Sequence, residues 1–155
     1  MGGPQDAGRP SREGVMVSSS VSVPAKKPPR GESLGEWPLR PDARSARLAR
    51  RLVSQAMEGV GEALRRRAAL VTSELVSNGV RHARGGLVLQ VLQLRDGVVV
   101  AVADGSAAPP VVQASGHSLA EDGRGLLIVE RISDQLGWAR TPTGKVVWAA
   151  VLDED

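Results

Sequence analysis

The sequence ALVTSELVSNGVRHA, at residues 69–83, carries apolar side chains at near-helical spacing. This periodicity predicts a helix with one buried stripe. Glu74 and Asn78 are four residues apart and His82 follows after four more, so all three lie on one helix face. A solvated face is the simpler interpretation of this spacing. The functional interpretation is a ladder of carboxylate, amide and imidazole that holds a polar ligand and a metal ion.

The three side chains of this ladder suit different chemical tasks. Mg²⁺ takes few protein oxygens and keeps water and phosphate oxygens as ligands, so the Asn78 oxygen can supply one contact. The Glu74 carboxylate can hold a water molecule or accept a proton. His82 either lines the same site or interacts with the C-terminal end of its own helix.

Outward from this helix, which we expect to begin near residue 62, the patterns alternate between helix and strand. They predict a strand at 35–39, a helix at 43–57, strands at 87–94 and 98–103, a long loop at 105–122, a helix at 126–133, and strands at 136–140 and 145–152. Asp96-Gly97 predicts a tight hairpin between two of these strands. This order predicts an α/β two-layer sandwich, in which a mixed, mostly antiparallel sheet packs against about three helices.

The N-terminal region differs in composition from the rest of the chain. Residues 1–34 are rich in Gly, Pro, Ser and charged residues and lack sustained periodicity, which predicts a disordered tail before one folded domain at 35–155. The run Lys26-Lys27-Pro28-Pro29-Arg30 cannot form a regular element. Residues 15–23 could pair as a short strand, although their surroundings favour disorder.

Composition excludes several functional classes. The chain has 155 residues, no Phe, Tyr or Cys, and three Trp, so aliphatic side chains must build the core of a single domain. The lack of Cys excludes disulfides and thiolate metal sites. No apolar run approaches the roughly 20 residues needed to cross a bilayer, and no signal-peptide pattern is present, so we expect a cytoplasmic protein without membrane contact. The net charge of +3 comes with few aromatic residues to stack bases, and direct nucleic-acid binding is not expected.

Two further motifs follow the central helix. Asp104-Gly105-Ser106 ends an apolar, β-branched run, and a carboxylate at the end of a buried strand is costly unless it has partners. A plain Asp-Gly turn is the simpler interpretation. The segment 123–126, Gly-Arg-Gly-Leu, stands at a predicted helix start, where free N–H groups favour phosphate. A glycine hinge is the simpler interpretation there.

Three motifs, taken together and in this order, resemble the N, G1 and G2 boxes of the GHKL ATPase superfamily. They are Glu74-xxx-Asn78, Asp104-Gly105-Ser106 and Gly123-Arg124-Gly125-Leu126. That superfamily includes gyrase, histidine kinases, heat-shock chaperones of the ninety-kilodalton class and mismatch-repair ATPases. Over residues 37–152 the chain is most similar to the small anti-sigma-factor serine kinases. The resemblance implies a Bergerat-type sandwich in which the loop at 105–122 is an ATP lid.

The resemblance also implies cofactors and residue roles. ATP and Mg²⁺ are the implied cofactors, with Asn78 as the Mg²⁺ ligand and Glu74 as the catalytic general base. Asp104 would accept a hydrogen bond from the exocyclic amine of adenine, and Gly105 would let the backbone approach the base. The other implied cofactor-binding residues are His82, Ser106, Gly123, Arg124, Gly125, Leu126 and Thr143.

The function implied by the resemblance is partner switching. Such a protein sequesters a sigma factor, phosphorylates a serine of an anti-sigma antagonist, and forms a homodimer, with the helix at 43–57 as a candidate contact surface. The alternative is a nucleotide-binding interaction module that sequesters a partner without phosphotransfer. A sensor histidine kinase is disfavoured, because His82 lies inside the ATP-site helix and the chain shows no dimerisation helix pair.

The sequence departs from the family pattern in two places. The G1 region continues Ala107-Ala108-Pro109-Pro110, without the second spaced glycine. The last strand begins at Lys145 and lacks the Ser or Thr that family members usually carry there, although Thr143 is near. The first departure concerns the geometry of the lid, and the second concerns nucleotide affinity.

Overall fold

The computed structural model describes residues 20–82, 84–113 and 124–154. Within these ranges the elements are β1 (Ser20–Ser22), β2 (Glu32–Leu39), α1 (Ser45–Ala56), α2 (Glu62–His82), β3 (Leu87–Leu94), β4 (Gly97–Asp104), β5 (Val111–Gln113), α3 (Arg124–Ile132), β6 (Gln135–Thr141) and β7 (Gly144–Leu152). None of the helices in this part of the chain combines the length and the apolar character needed to cross a membrane.

The architecture is the predicted two-layer α/β sandwich. Five strands form one sheet in the order β2-β3-β4-β7-β6, and every neighbouring pair is antiparallel. The helices cover one face of this sheet, where alternate strand residues such as Leu89, Val100 and Ala149 are fully buried with Val53 and Val71 of the helices. Aliphatic side chains therefore build the main core, as the composition predicts.

Helix α2 packs closely on the middle of the sheet, and a glycine makes this possible. A β-carbon on Gly79 would lie 3.1 Å from Cδ2 of Leu87 and 3.6 Å from Cγ1 of Val102. Only a residue without a side chain fits there without displacing Leu87. Because Val102 is two residues from the end of β4, this contact brings the C-terminal half of α2 beside that strand end.

The N-terminal segment is more ordered than its composition suggests. The tail was expected to extend to residue 34, but residues 20–34 include β1 and the start of β2; residues 1–19 lie outside the described ranges. Strand β1 pairs antiparallel with β5, and Val23 is buried in the core. The backbone N–H of Lys26 donates to the carbonyl oxygen of Trp138 at 2.8 Å. The backbone N–H of Trp138 donates in turn to the carbonyl oxygen of Pro24 at 3.0 Å.

The same segment then crosses the sheet face opposite the helices. At one end, the indole N–H of Trp148 donates to the carbonyl oxygen of Lys26 at 2.7 Å, beside strand β6. At the other end, Gly31 lies against Leu92, and Glu32 pairs with Gln93 at the start of β2. Both ends thus contact a second apolar cluster, which contains the buried residues Val99, Ala101, Trp148 and Ala150 and the partly buried Leu92. The prolines at 28 and 29 are compatible with this path, because the segment does not form a regular strand whose backbone N–H groups must all donate hydrogen bonds.

Candidate functional site

Three parts of the chain converge at the end of β4. A β-carbon on Gly105 would lie 2.5 Å from the carbonyl oxygen of Arg84, just after α2, and 3.9 Å from that of Thr143, in the turn between β6 and β7. A β-carbon on Gly144 would collide with the backbone carbonyl of Asp104. Glycine is required at both positions because backbone approaches backbone there. The Asp104-Gly105 turn therefore lies against the backbone that follows α2.

Asp104 is the buried carboxylate of this region. It lies opposite Lys145 in the β4–β7 pair, and its Oδ1 accepts a hydrogen bond from Nζ of Lys145 at 3.0 Å. The side chains of Asp104 and Lys145 are only 4% and 5% exposed, respectively. The backbone N–H of Ser106 donates to the same Oδ1 at 2.8 Å. A buried charge needs such partners, since an unpaired ion in the interior costs several kcal/mol.

The second oxygen of this carboxylate has no donor in the part of the chain that the structure describes. Within the described residues, both hydrogen bonds of Asp104 end at Oδ1, and Oδ2 receives none. Nζ of Lys145 makes one further contact, a long one of 3.5 Å to the carbonyl oxygen of Ser106. Asp104 is therefore held in one orientation by two donors while one acceptor oxygen remains available to a ligand.

The polar face of α2 supplies the other predicted groups. Glu74 and Asn78 are half-buried, and neither side chain makes a hydrogen bond or ion pair within the described ranges. His82 is exposed and is the last residue of α2, in the turn where a basic side chain interacts favourably with the negative end of the helix dipole. Thr143 is also exposed, and Ser106 is half-buried. Glu74 and Asn78 are thus free to meet a ligand, while His82 stands at the rim.

The glycine-rich motif lies at the edge of what the structure describes. Helix α3 begins at Arg124, and the backbone of Arg124 and Gly125 forms its first turn, as predicted. Gly123 and the loop residues 114–122 lie outside the described residues. Leu126 is buried at 4% exposure and packs in the main core, so its side chain anchors the helix and only its backbone is placed to meet a phosphate.

The donor set fits Mg²⁺ bound together with a phosphate ligand. Among the described residues, no group of three or more His, Asp or Glu side chains forms a protein-only metal cage. Mg²⁺ does not require such a cage, because it keeps water molecules and binds phosphate oxygens. The unpartnered amide of Asn78 can supply one oxygen ligand, and Glu74, one helical turn away, can hold a metal-bound water. Nucleotide also fits, through the free Oδ2 of Asp104 and the close backbone approach at Gly105.

Lys145 was not identified as a site residue from the sequence. Lys145 stands at the start of the last strand, where the resembled proteins usually carry Ser or Thr, and the motif pattern gives it no role. The positions of the predicted strands could have indicated Lys145. One strand ends at Asp104 and another begins at Lys145, so antiparallel pairing of these two strands would place the two residues opposite each other. Using that signal requires knowing that β4 and β7 are neighbours in the sheet.

Comparison with protein-family models identifies the family of this domain. The model described as the histidine kinase-like ATPase domain matches residues 39–151, which include α2, β4, α3 and β7. This domain is an ATP-binding one, typically with Mg²⁺. Comparison with curated proteins finds no significant match to the chain. The match covers most of the chain and agrees with the two-layer sandwich, and the chain therefore belongs to the histidine kinase-like ATPase family.

Proposed function

We propose that this protein is an ATP-dependent anti-sigma factor and serine-protein kinase of a partner-switching system. It would sequester a sigma factor and, with ATP bound, phosphorylate a serine of an anti-sigma antagonist. The observation that carries the proposal is the pair Glu74 and Asn78 on α2, which has no bonding partner among the described residues and lies beside the strand end that holds Asp104. Nucleotide binding alone would need only the amide of Asn78 and the carboxylate of Asp104. The carboxylate of Glu74, which has no partner among the described residues, also suits proton transfer.

Each residue has one task in this proposal. Asp104 binds the adenine amine through Oδ2, and Gly105 gives the base room against the backbone. Asn78 holds Mg²⁺, which when bound neutralises phosphate charge. Glu74 accepts the proton of the partner's serine hydroxyl as the serine oxygen bonds to the γ-phosphorus, the β–γ bridge bond breaks and ADP leaves.

The first turn of α3 contributes its backbone to the phosphates. Arg124 and Gly125 stand where helix N–H groups have no partner within the helix, and the helix dipole favours negative charge there. Gly123, His82, Ser106 and Thr143 remain proposed rim contacts of the nucleotide.

The partner surface in this proposal is the outer face of α1. Arg44, Arg47, Arg50 and Arg51 are exposed along this helix, and Leu48 is 48% exposed among them. A basic surface around one apolar side chain complements an acidic segment of a protein partner. The proposal further includes a homodimer and a cytoplasmic setting, where sigma factors act, and needs no direct contact with nucleic acid.

A second candidate is a nucleotide-binding interaction module without phosphotransfer. The specific observation in its favour is the buried pair of Asp104 and Lys145, because Lys145 already occupies one oxygen of the carboxylate. The absence of a second spaced glycine after Ser106 points the same way. In this candidate, nucleotide would control partner binding, and Glu74 would have no chemical role.

Incubation with γ-labelled ATP, Mg²⁺ and candidate antagonist proteins separates the two functions. The kinase proposal predicts label on a serine of an antagonist, together with release of a co-purified sigma factor. ATP binding without serine labelling of any antagonist encoded with the protein would favour the module. Failure to retain any sigma factor would remove the anti-sigma role from the first proposal.

A further inference from the structure

We propose that Lys145 is a second base-reading residue, which donates a hydrogen bond from Nζ to ring nitrogen N1 of adenine. This inference rests on the proposed nucleotide site, in which Asp104 binds the exocyclic amine. The inference adds a direct contact from Lys145, which in the sequence stands out only because it replaces the usual Ser or Thr. The geometry of the Asp104–Lys145 pair carries it.

The hydrogen bonds of this pair leave a matched donor and acceptor free. Lys145 has three N–H donors, of which one goes to Oδ1 of Asp104 at 3.0 Å and one points along a long 3.5 Å contact to the carbonyl oxygen of Ser106. Among the described residues, at least one donor of Lys145 therefore has no acceptor. The free acceptor is Oδ2 of Asp104, since both donors within the described residues reach Oδ1.

Adenine matches this arrangement on its Watson–Crick edge. Its exocyclic N6 amine is a donor, and the adjacent ring nitrogen N1 is an acceptor. The amine can donate to Oδ2 of Asp104 while N1 accepts from Nζ of Lys145. A lysine can only donate and an ionised aspartate can only accept, so the pair specifies both atoms of that edge.

Guanine does not match the same pair. In the register used by adenine, its O6 would face the acceptor Oδ2 of Asp104, and its N1–H would face the donor Lys145. In a shifted register, guanine N1–H and its 2-amino group would require both carboxylate oxygens. Oδ1 is already held by the N–H of Ser106 and by Lys145, so that register lacks an acceptor. The pair therefore selects adenine over guanine.

A purely structural role for Lys145 gives a different expectation. If the ammonium only neutralised a buried carboxylate, its removal would weaken folding and would affect all adenine nucleotides equally. Direct reading of N1 instead makes the effect depend on one atom of the base. An ATP analogue in which C–H replaces N1, 1-deaza-ATP, isolates that atom.

The test measures dissociation constants of ATP and 1-deaza-ATP by titration calorimetry, with the full chain. The wild-type protein should bind 1-deaza-ATP roughly ten- to hundred-fold more weakly, the range for a hydrogen bond with a charged donor. Lys145→Met should bind both nucleotides with equal affinity. Lys145→Leu, which also lacks a hydrogen-bond donor, serves as a second variant if the methionine variant fails to fold. Arg140→Met is the matched control, because Arg140 faces Lys145 on the neighbouring strand and is exposed, and it should keep the discrimination.

The outcomes separate this inference from the nucleotide site itself. Equal binding of ATP and 1-deaza-ATP by the wild-type protein would overturn the role of Lys145 and leave the ATP site intact. Full discrimination by a folded Lys145 variant would overturn it as well. Binding of neither nucleotide would overturn the proposed nucleotide site together with this inference.

Discussion

The indole of Trp148 lies directly over Gly137, so that a β-carbon on Gly137 would come within 2.5 Å of Cζ2 of the ring. Trp148 is fully buried, and its indole N–H is held by the carbonyl oxygen of Lys26 at 2.7 Å. The ring therefore cannot move aside without breaking this bond. One contact between neighbouring strands thus also fixes the N-terminal segment across the outer face of the sheet.

Gly137→Ala should destabilise the fold by about 1–3 kcal/mol, the usual cost of overpacking a filled core. The methyl group would displace the Trp148 ring and weaken its hydrogen bond to Lys26. Urea unfolding, followed by tryptophan fluorescence, measures this as a lower midpoint. Gly86→Ala is the matched control, because a β-carbon there meets only ordinary contact at 3.5 Å. Equal midpoints for the two variants would contradict the packing described for Trp148.

Deletion of residues 1–31 should lower stability and uncover the outer face of the sheet. The deletion removes the backbone bonds to Trp138, the acceptor of the Trp148 indole and the buried Val23. Each lost hydrogen bond contributes roughly 0.5–1.5 kcal/mol, and the exposed apolar cluster adds to the loss. Melting curves and binding of a hydrophobic dye measure the effect. Deletion of residues 1–19 alone removes none of these contacts and is the control; identical melting of both truncations would show that the crossing segment contributes nothing.

Asn78→Ala should abolish Mg²⁺-dependent ATP binding while the fold survives. The side chain is half-buried and makes no bond within the described residues, and alanine favours the helix, so folding loses little. Calorimetric titration with Mg·ATP checks the prediction. Ser77→Ala controls for the substitution itself, because the preceding residue points about 100° away around the helix. Unchanged affinity in Asn78→Ala would remove this residue from the site.

Glu74→Gln should leave nucleotide affinity unchanged and lower phosphotransfer roughly 10²–10⁴-fold, the usual contribution of a general base. The amide keeps the shape of the side chain and loses the ability to accept a proton. Steady-state labelling of the antagonist measures the rate. Glu62→Gln, at the exposed start of the same helix, is the control and should react at the wild-type rate. A Glu74 variant with full turnover would leave the protein without its proposed base.

Most of the fold could be predicted because its signals are local. The apolar periodicity of α2 and the Asp96-Gly97 turn place one helix and one hairpin without any knowledge of tertiary contacts. The order of the N-terminal segment could not be predicted in this way. Its bonds run from Lys26 to Trp138 and Trp148, more than one hundred residues away, and no pattern within the segment encodes them.

The site shows the same division between local and distant information. Motif order predicts Asp104, Glu74 and Asn78 as site residues, because their proposed roles depend on residue type and helical spacing. The role proposed for Lys145 depends on β7 lying between β4 and β6, which is a property of sheet topology. Leu126 stands within a recognised motif, yet its side chain is in the core, because the first turn of α3 must also be anchored.

The melting curve of the full chain with and without Mg·ATP tests the nucleotide site most directly. A ligand that binds only the folded protein, at one hundred times its dissociation constant, adds about 2.7 kcal/mol of stability. For a domain of this size the melting temperature should then rise by roughly 5–10 °C. Mg·GTP should give a smaller rise, and Asn78→Ala should give none with Mg·ATP. A melting temperature that stays the same in millimolar Mg·ATP would contradict the site assigned to Asp104 and Asn78.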